Sequence, residues 1–288
     1  MKSIIKNKVA DKFREIKEKG GTALIPFIMA GDPEMAATFT ILPYLEKGGA
    51  NLIELGIPFS DPLADGPVIQ EAAQRALANG FRLQIFLRLL AKNRRLVSIP
   101  IVLLVYYNLI YQYGTERFLA EAAEVGVDGL VIPDLPPEEA SGLQLPTEKN
   151  GIALNMLVAP TSSPGRIKAA AALTTGFIYL VSVRGVTGER PTLPPDLPEL
   201  AGRVKKLTGH PVAVGFGISQ PAQARQISSF ADGVIVGSAL VRKLAANAGS
   251  SPVAAGEAGA AFLRSLHEAM AGAAQENREN GLVEPFPW

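Results

Sequence analysis

Cysteine is absent from this 288-residue chain, which excludes disulfides, thiolate nucleophiles and cysteine-based metal sites. Histidine is nearly absent too: His210 and His267 are the only two, so a histidine-rich metal centre is not expected. Neither charge is in excess, with 28 Lys and Arg against 27 Asp and Glu for a net charge of +1. Interspersed charges in that balance argue against a nucleic-acid surface or a membrane-binding polybasic patch. No apolar run approaches the ~20 residues that span a bilayer. Met1 to Gly20 is dense in Lys and Glu and lacks the apolar stretch of a secretion signal. The expectation is a soluble cytoplasmic protein, or the mature form of one imported into a plastid stroma.

Hydrophobic residues, by contrast, make up 48% of the chain, enough for a large core. They fall into eight runs rich in Val, Ile and Leu, at about 22–29, 51–55, 100–106, 128–132, 152–158, 177–183, 211–215 and 232–236. Each is followed by a helical pattern: Met35, Phe39, Leu42 and Leu45 behind Asp32-Pro33-Glu34, or Phe118, Ala122 and Val125 after the third run. Two helices follow the second run, one carrying Val68, Ala72 and Ala76 and the next Leu83, Leu87 and Leu90. Strands apolar nearly throughout, alternating with helices, predict a parallel sheet covered on its outside. The length suits one α/β barrel, a fold of about 250 residues. We therefore expect a single (β/α)8 TIM barrel over residues 1–288, with extra helices after strands two and eight. An additional amphipathic N-terminal helix over about 2–19 carries Ile5, Val9, Phe13 and Ile16 and should close one end of the core. The tail, about 275–288, reads as loosely ordered surface.

In such a barrel, chemistry sits at the carboxyl ends of the strands. The stretch from Ala50 to Pro67 is the most informative there. Glu54 interrupts an apolar strand, and burying a carboxylate costs several kcal/mol unless it is paired or protonated. A structural ion pair would explain it, but none of the eight predicted strands contains Lys or Arg. A second acid, Asp65, follows before Gly66-Pro67 can open a helix, one position early for an ordinary cap. Two carboxylates in different environments are what separates an acid from a base. Asp61, between Ser60 and Pro62, reads as a turn-former; Asp134 is undecided between a structural and a functional role, and His210 reads as structural.

Gly215-Phe216-Gly217-Ile218-Ser219 and Gly237-Ser238 each end a strand and open a helix. Either alone reads as an ordinary glycine turn. Together, at strands seven and eight, they predict a phosphate cradle built from two adjacent helix N-termini. The long polar connection from Arg184 to Pro198 is expected to act as a lid.

These motifs carry a resemblance. Pro26-Phe27 with Gly31-Asp32-Pro33, the run Glu54 to Pro67, Tyr107-Asn108, Pro133 to Glu138, Ser182 with Gly185 to Gly188, Gly215 to Ser219, and Gly237-Ser238 together resemble the tryptophan synthase alpha subunit family. The match runs from about Phe13 to Leu244. It implies retro-aldol cleavage of indole-3-glycerol phosphate to indole and glyceraldehyde 3-phosphate. Position by position, Glu54 matches the general acid/base that protonates the ring carbon bearing the glycerol chain and assists deprotonation of the chain hydroxyl. Asp65 matches the acid that accepts the indole N–H. Phe27, Leu104, Val131 and Leu157 match the indole pocket, with Tyr106 and Tyr179 beside the carboxylates. Gly188, Phe216, Gly217, Gly237 and Ser238 match the phosphate site, and Thr187 the loop residue that closes near Asp65. Pro58, Asp61, Pro62, Asn108 and Pro136 fall on positions facing a beta subunit, in an alpha-beta-beta-alpha tetramer to which indole is passed. Pyridoxal phosphate is expected on that beta subunit alone, with no cofactor or metal here. Val183-Arg184 stands where many members have Arg followed by a small residue.

Two other readings compete. One is a free-standing lyase that releases indole without a partner, separable by the activity of the isolated chain. The other is a catalytically idle barrel that activates a second subunit, against which the presence of both acids speaks. Sugar-phosphate epimerase barrels would show a metal-binding His/Asp set, which is missing.

Overall fold

The computed structural model describes residues 7–182, 193–215 and 217–279. Its strands are β1 (Ala23–Met29), β2 (Ile53–Gly56), β3 (Ile101–Leu104), β4 (Gly129–Val131), β5 (Ala153–Asn155), β6 (Leu157–Val158), β7 (Ile178–Val181), β8 (Val212–Gly215) and β9 (Gly233–Val236). All the pairings are parallel, in the order β5-β4-β3-β2-β1-β9-β8-β7-β6. The two end strands are consecutive in the chain, separated only by Met156, so the sheet closes on itself. This is the expected eight-stave barrel, corrected in one respect: the fifth run is two short strands.

The break is bridged by a side chain. Asn155 Nδ2 donates to the Leu130 carbonyl at 3.0 Å and its Oδ1 accepts from the Phe177 N–H at 2.9 Å, tying β4 to the start of β7 across the gap. A β-carbon on Gly176 would stand 2.2 Å from that oxygen, so the neighbouring position must be glycine for the amide to fit.

The helices are α1 (Lys8–Glu18), α2 (Met35–Lys47), α3 (Pro67–Ala78), α4 (Leu83–Asn93), α5 (Tyr107–Tyr113), α6 (Thr115–Glu124), α7 (Pro137–Lys149), α8 (Pro164–Leu173), α9 (Leu197–Thr208), α10 (Pro221–Ser228), α11 (Ser238–Ala248) and α12 (Pro252–Glu279). The paired helices after the second and last strands are present as α3/α4 and α11/α12. Three boundaries and one added helix differ from expectation. α1 starts at Lys8, where the extended Asn7 caps it by accepting the Ala10 N–H; residues 1–6, into which the expected helix reached, lie outside the described part. α5 is an additional short helix between β3 and α6. α12 continues to Glu279, past the point where the sequence suggested a loose tail; residues 280–288 lie outside the described part. α9 begins at Leu197, so the connection after β7 ends before Pro198.

Alternation along the strands separates two cores. Outward residues such as Leu24, Leu55, Leu103, Leu130, Leu180 and Val214 pack under the helices. Inward residues such as Ala23, Ile25, Leu52, Val102, Val131, Phe177 and Ala213 fill the barrel, joined from below by Val9 and Phe13 of α1. Phe13 meets Phe177 with ring centroids 5.2 Å apart. The N-terminal helix thus closes the bottom of the barrel, as its apolar stripe predicted.

Candidate active site

At the carboxyl ends of the strands the packing opens into a pocket of about 590 Å³, counting the open space at its mouth. One side is apolar: Phe27 of β1, Leu104 of β3, Leu157 of β6, Ile235 of β9 and Ile69 from the first turn of α3. Asp65 and Tyr179 supply its polar groups, and Gly217, Ile218, Gly237 and Ser238 form the far end.

Glu54 occupies the inward face of β2, in register with Phe27, and is 1% exposed. Neither of its carboxylate oxygens has a hydrogen-bond partner, which removes the ion-pair explanation for it. Loss of water, reinforced by the negative charge of Asp65, pushes its pKa up to about 8. Glu54 is therefore a neutral acid near pH 7.

Asp65 sits just before α3, whose N-cap is Gly66 and first residue Pro67, as the Gly-Pro signal predicted. It is 6% exposed and its pKa rises to about 6, driven by burial and partly offset by a hydrogen bond from Tyr106. Gln70 Nε2 donates to the Asp65 carbonyl at 2.7 Å, and the Ala64 N–H donates to the Tyr106 hydroxyl at 3.1 Å. Tyr106, stacked on Phe59 at 5.1 Å, orients Asp65 through that hydrogen bond. Near neutral pH the site holds one protonated and one ionised carboxyl group.

Tyr179 is buried, and the charges of Glu54 and Asp65 add to burial in raising its pKa. A β-carbon on Gly215 of β8 would stand 2.6 Å from its hydroxyl. Gly215 thus makes room for Tyr179 and does not itself line the pocket. Val131 is fully buried in the barrel interior, in register with Leu104 of the pocket.

The segments expected to form a phosphate cradle also differ from expectation in their geometry. α11 starts directly at Ser238 with no side chain capping it, and Gly237 and Ser238 line the pocket, which places the positive end of this helix there. α10 is different: Gln220 and Gln223 close a capping box over its N-terminus, and the Ser219 N–H donates to Gln223 Oε1 at 2.8 Å. Its contribution is the preceding loop, where Gly217 adopts φ +85°, a conformation that favours glycine. One helix N-terminus and one glycine turn replace the expected pair of helix ends.

Thr187, Gly188, Phe216 and the Arg184 connection lie outside the described residues. Of the positions expected to face a partner, Asp61 and Asn108 are exposed and Pro62 and Pro136 half-exposed. Pro58 is buried within the chain, so it supports that face from beneath. Asp134 accepts the Tyr107 N–H at 2.8 Å and so anchors the start of α5. His210 contacts the Ala171 carbonyl at 3.1 Å, in keeping with a structural role. The sequence reading did not identify Ile69, Pro133, Ile218 or Ile235 as pocket residues; for Ile235, inward alternation along the last strand was the available signal. Among the described residues no group of three or more His, Asp or Glu is placed to hold a metal ion, and no helix is long and apolar enough to cross a membrane.

Comparison with known proteins bears on this geometry. The sequence profile of the tryptophan synthase alpha chain family matches residues 13–271. The tryptophan synthase alpha chain of Microcystis aeruginosa is 49% identical over 263 residues, covering 91% of this chain and 98% of that protein. That of Trichormus variabilis is 50% identical over the same length and coverage. This chain belongs to the tryptophan synthase alpha chain family. Among solved structures, the alpha chain from Legionella pneumophila superposes with a TM-score of 0.83 at 36% identity, covering 93% of this chain and 98% of that one. Tryptophan synthase from Mycobacterium tuberculosis gives 0.82 at 34% identity, covering 92% and 98%. A tryptophan synthase alpha chain is a lyase of tryptophan biosynthesis that cleaves indole-3-glycerol phosphate and works with a beta subunit.

Proposed function

We propose that Glu54 and Asp65 divide the retro-aldol cleavage of indole-3-glycerol phosphate between them. An indole ring is a poor leaving group until its ring carbon is protonated, because only then can the ring nitrogen accept the electrons of the breaking C–C bond. Glu54, neutral near pH 7, donates that proton. Asp65, ionised, accepts the indole N–H and stabilises the positive charge of the indolenine. The Glu54 carboxylate so formed takes the proton of the chain hydroxyl as its carbon becomes the aldehyde of glyceraldehyde 3-phosphate. Indole leaves, and Glu54 is protonated again. The observation that carries this reading is the buried Glu54 carboxyl with no protein partner beside a pocket that holds a second acid.

Phe27, Leu104 and Leu157 hold the ring. The N–H groups at Ser238, with Gly217 and Gly237, hold the phosphate, joined by Gly188 and Phe216; Thr187 closes over Asp65. Proton transfers drive the C–C cleavage throughout, so the chain needs no cofactor or metal, and pyridoxal phosphate belongs to the beta subunit. The partner docks at the rim around Asp61, Pro62, Asn108 and Pro136. Leu63 and Tyr111, 85% and 70% exposed, add apolar area to that rim, Tyr111 standing one turn after Asn108 on α5. We place the chain in an alpha-beta-beta-alpha tetramer in the cytoplasm, or in a plastid stroma.

The test is indole release from indole-3-glycerol phosphate by the purified chain, with and without a beta subunit, for wild type and Glu54→Gln. Slow release that accelerates with the beta subunit and vanishes in the variant is expected. Full activity without a partner would instead identify a free-standing lyase, and full activity of Glu54→Gln would overturn the role of Glu54.

A further inference from the structure

Phe27 supplies one aromatic wall of the pocket, and its position depends on a residue that has no side chain. On β2, Glu54 and Gly56 share the inward face; on β1 their register partners are Phe27 and Met29. A β-carbon built on Gly56 would stand 2.4 Å from Phe27 Cζ, 2.7 Å from Cε2 and 3.3 Å from Met29 Cε. The tip of the Phe27 ring therefore occupies the volume that any other residue at 56 would fill. On its other side the ring meets Gly237, where a β-carbon would stand at an ordinary 3.6 Å from Cδ1. Behind it, Met29, Ile69, Ala72 and Val241 are packed together and buried. A displaced ring is thus closed off from β2 and from the helices, and the pocket is the open direction.

We propose that Gly56 is a specificity-determining position: by leaving its inward face empty, it lets the Phe27 ring stand back and sets how large an aromatic group fits beside Glu54. The assignment deepens the indole-3-glycerol phosphate reading and rests on it. The atom a methyl group would strike is the far end of a side chain, so Gly56→Ala should move the ring and leave the barrel standing. Because Phe27 is in register with Glu54, the displaced ring enters the space in which the substrate ring meets the acid. The phosphate end, at Gly217 and Ser238, is untouched.

A double-mutant cycle over Gly56→Ala and Phe27→Leu tests this, with dissociation constants measured on the whole chain for a non-cleavable indole-alkyl phosphate and for glycerol 3-phosphate. Gly56→Ala is expected to weaken the indole ligand by ~10-fold, as one methylene does in a tight pocket. Glycerol 3-phosphate should change by less than about twofold, since it lacks the aromatic end. In the Phe27→Leu background the Gly56→Ala penalty on the indole ligand should largely disappear. The proposal is overturned if the substitution weakens both ligands alike, if its effect persists once the Phe27 ring has been removed, or if the chain unfolds in both backgrounds. Wild-type chain that binds glycerol 3-phosphate but not the indole ligand would instead overturn the substrate reading.

Discussion

Two of the buried acids of this barrel are treated in opposite ways. Asp128, 4% exposed at the start of β4, is fully paired: Lys8 Nζ lies at 2.8 Å, Arg94 Nη2 at 2.9 Å, and the Ile101 N–H donates to it at 2.9 Å. Arg94 also bonds the carbonyls of Gly126, Val97 and Ile99, so the network pins α1 and the α4 end to the barrel floor. Glu54, 1% exposed, lies on the inward face toward the mouth and has no partner for either oxygen. Burial alone therefore does not distinguish a structural acid from a chemical one. The distinction lies in whether the protein supplies a counter-charge, and at Glu54 it keeps the carboxyl neutral instead.

The contrast is sharpest in what removing each charge does. Glu54→Gln should lower indole release by roughly 10³-fold or more, the upper range for loss of a general acid, while the melting temperature holds or rises. A rate loss matched by a loss of folded protein would erase the distinction. Asp128→Asn should do the reverse. It leaves Arg94 and Lys8 without their partner and should cost about 3 kcal/mol in denaturant unfolding, with turnover per folded molecule nearly unchanged.

The pH dependence of stability separates the two acids further. Because folding raises the Glu54 pKa from 4.5 to about 8, the folded state holds a proton there that the unfolded state has released between those values. Its contribution is full below pH 4.5 and is lost as pH rises through about 8. Wild type should lose stability relative to Glu54→Gln across that window; parallel curves would mean that Glu54 titrates normally. A smaller effect is expected at Tyr106. Its hydroxyl lowers the Asp65 pKa, so Tyr106→Phe should move the acid limb of the kcat/KM profile upward from about 6 and slow turnover several-fold. An unmoved limb would show that Tyr106 only fills space.

Glu54 was legible in the sequence because a carboxylate in an apolar strand violates the pattern around it, and no cation was near enough in the strands to excuse it. Asp65 was legible from its place before Gly66-Pro67. Asp128 was not, because Lys8 and Arg94 are 120 and 34 residues away and nothing local pairs them. The break at Met156 was hidden for a similar reason: Asn155 replaces backbone pairing with a side-chain bridge, and its apolar neighbours read as one strand. The glycines Gly217 and Gly237 do line the pocket. They did not reveal that Gln220 and Gln223 satisfy the start of α10, since a Gln-based cap looks like ordinary helix sequence. Gly56 went unnoticed because a glycine after a strand reads as a turn, and only the position of the Phe27 ring shows what its empty face is for.

The most direct test of a neutral, unpaired Glu54 is to titrate it by ¹³C NMR of the labelled side-chain carboxyl, assigned by its loss in Glu54→Gln. A midpoint near 8 is expected. A midpoint near the ordinary 4.5 would contradict the account, because the acid would then be ionised when the substrate ring needs its proton.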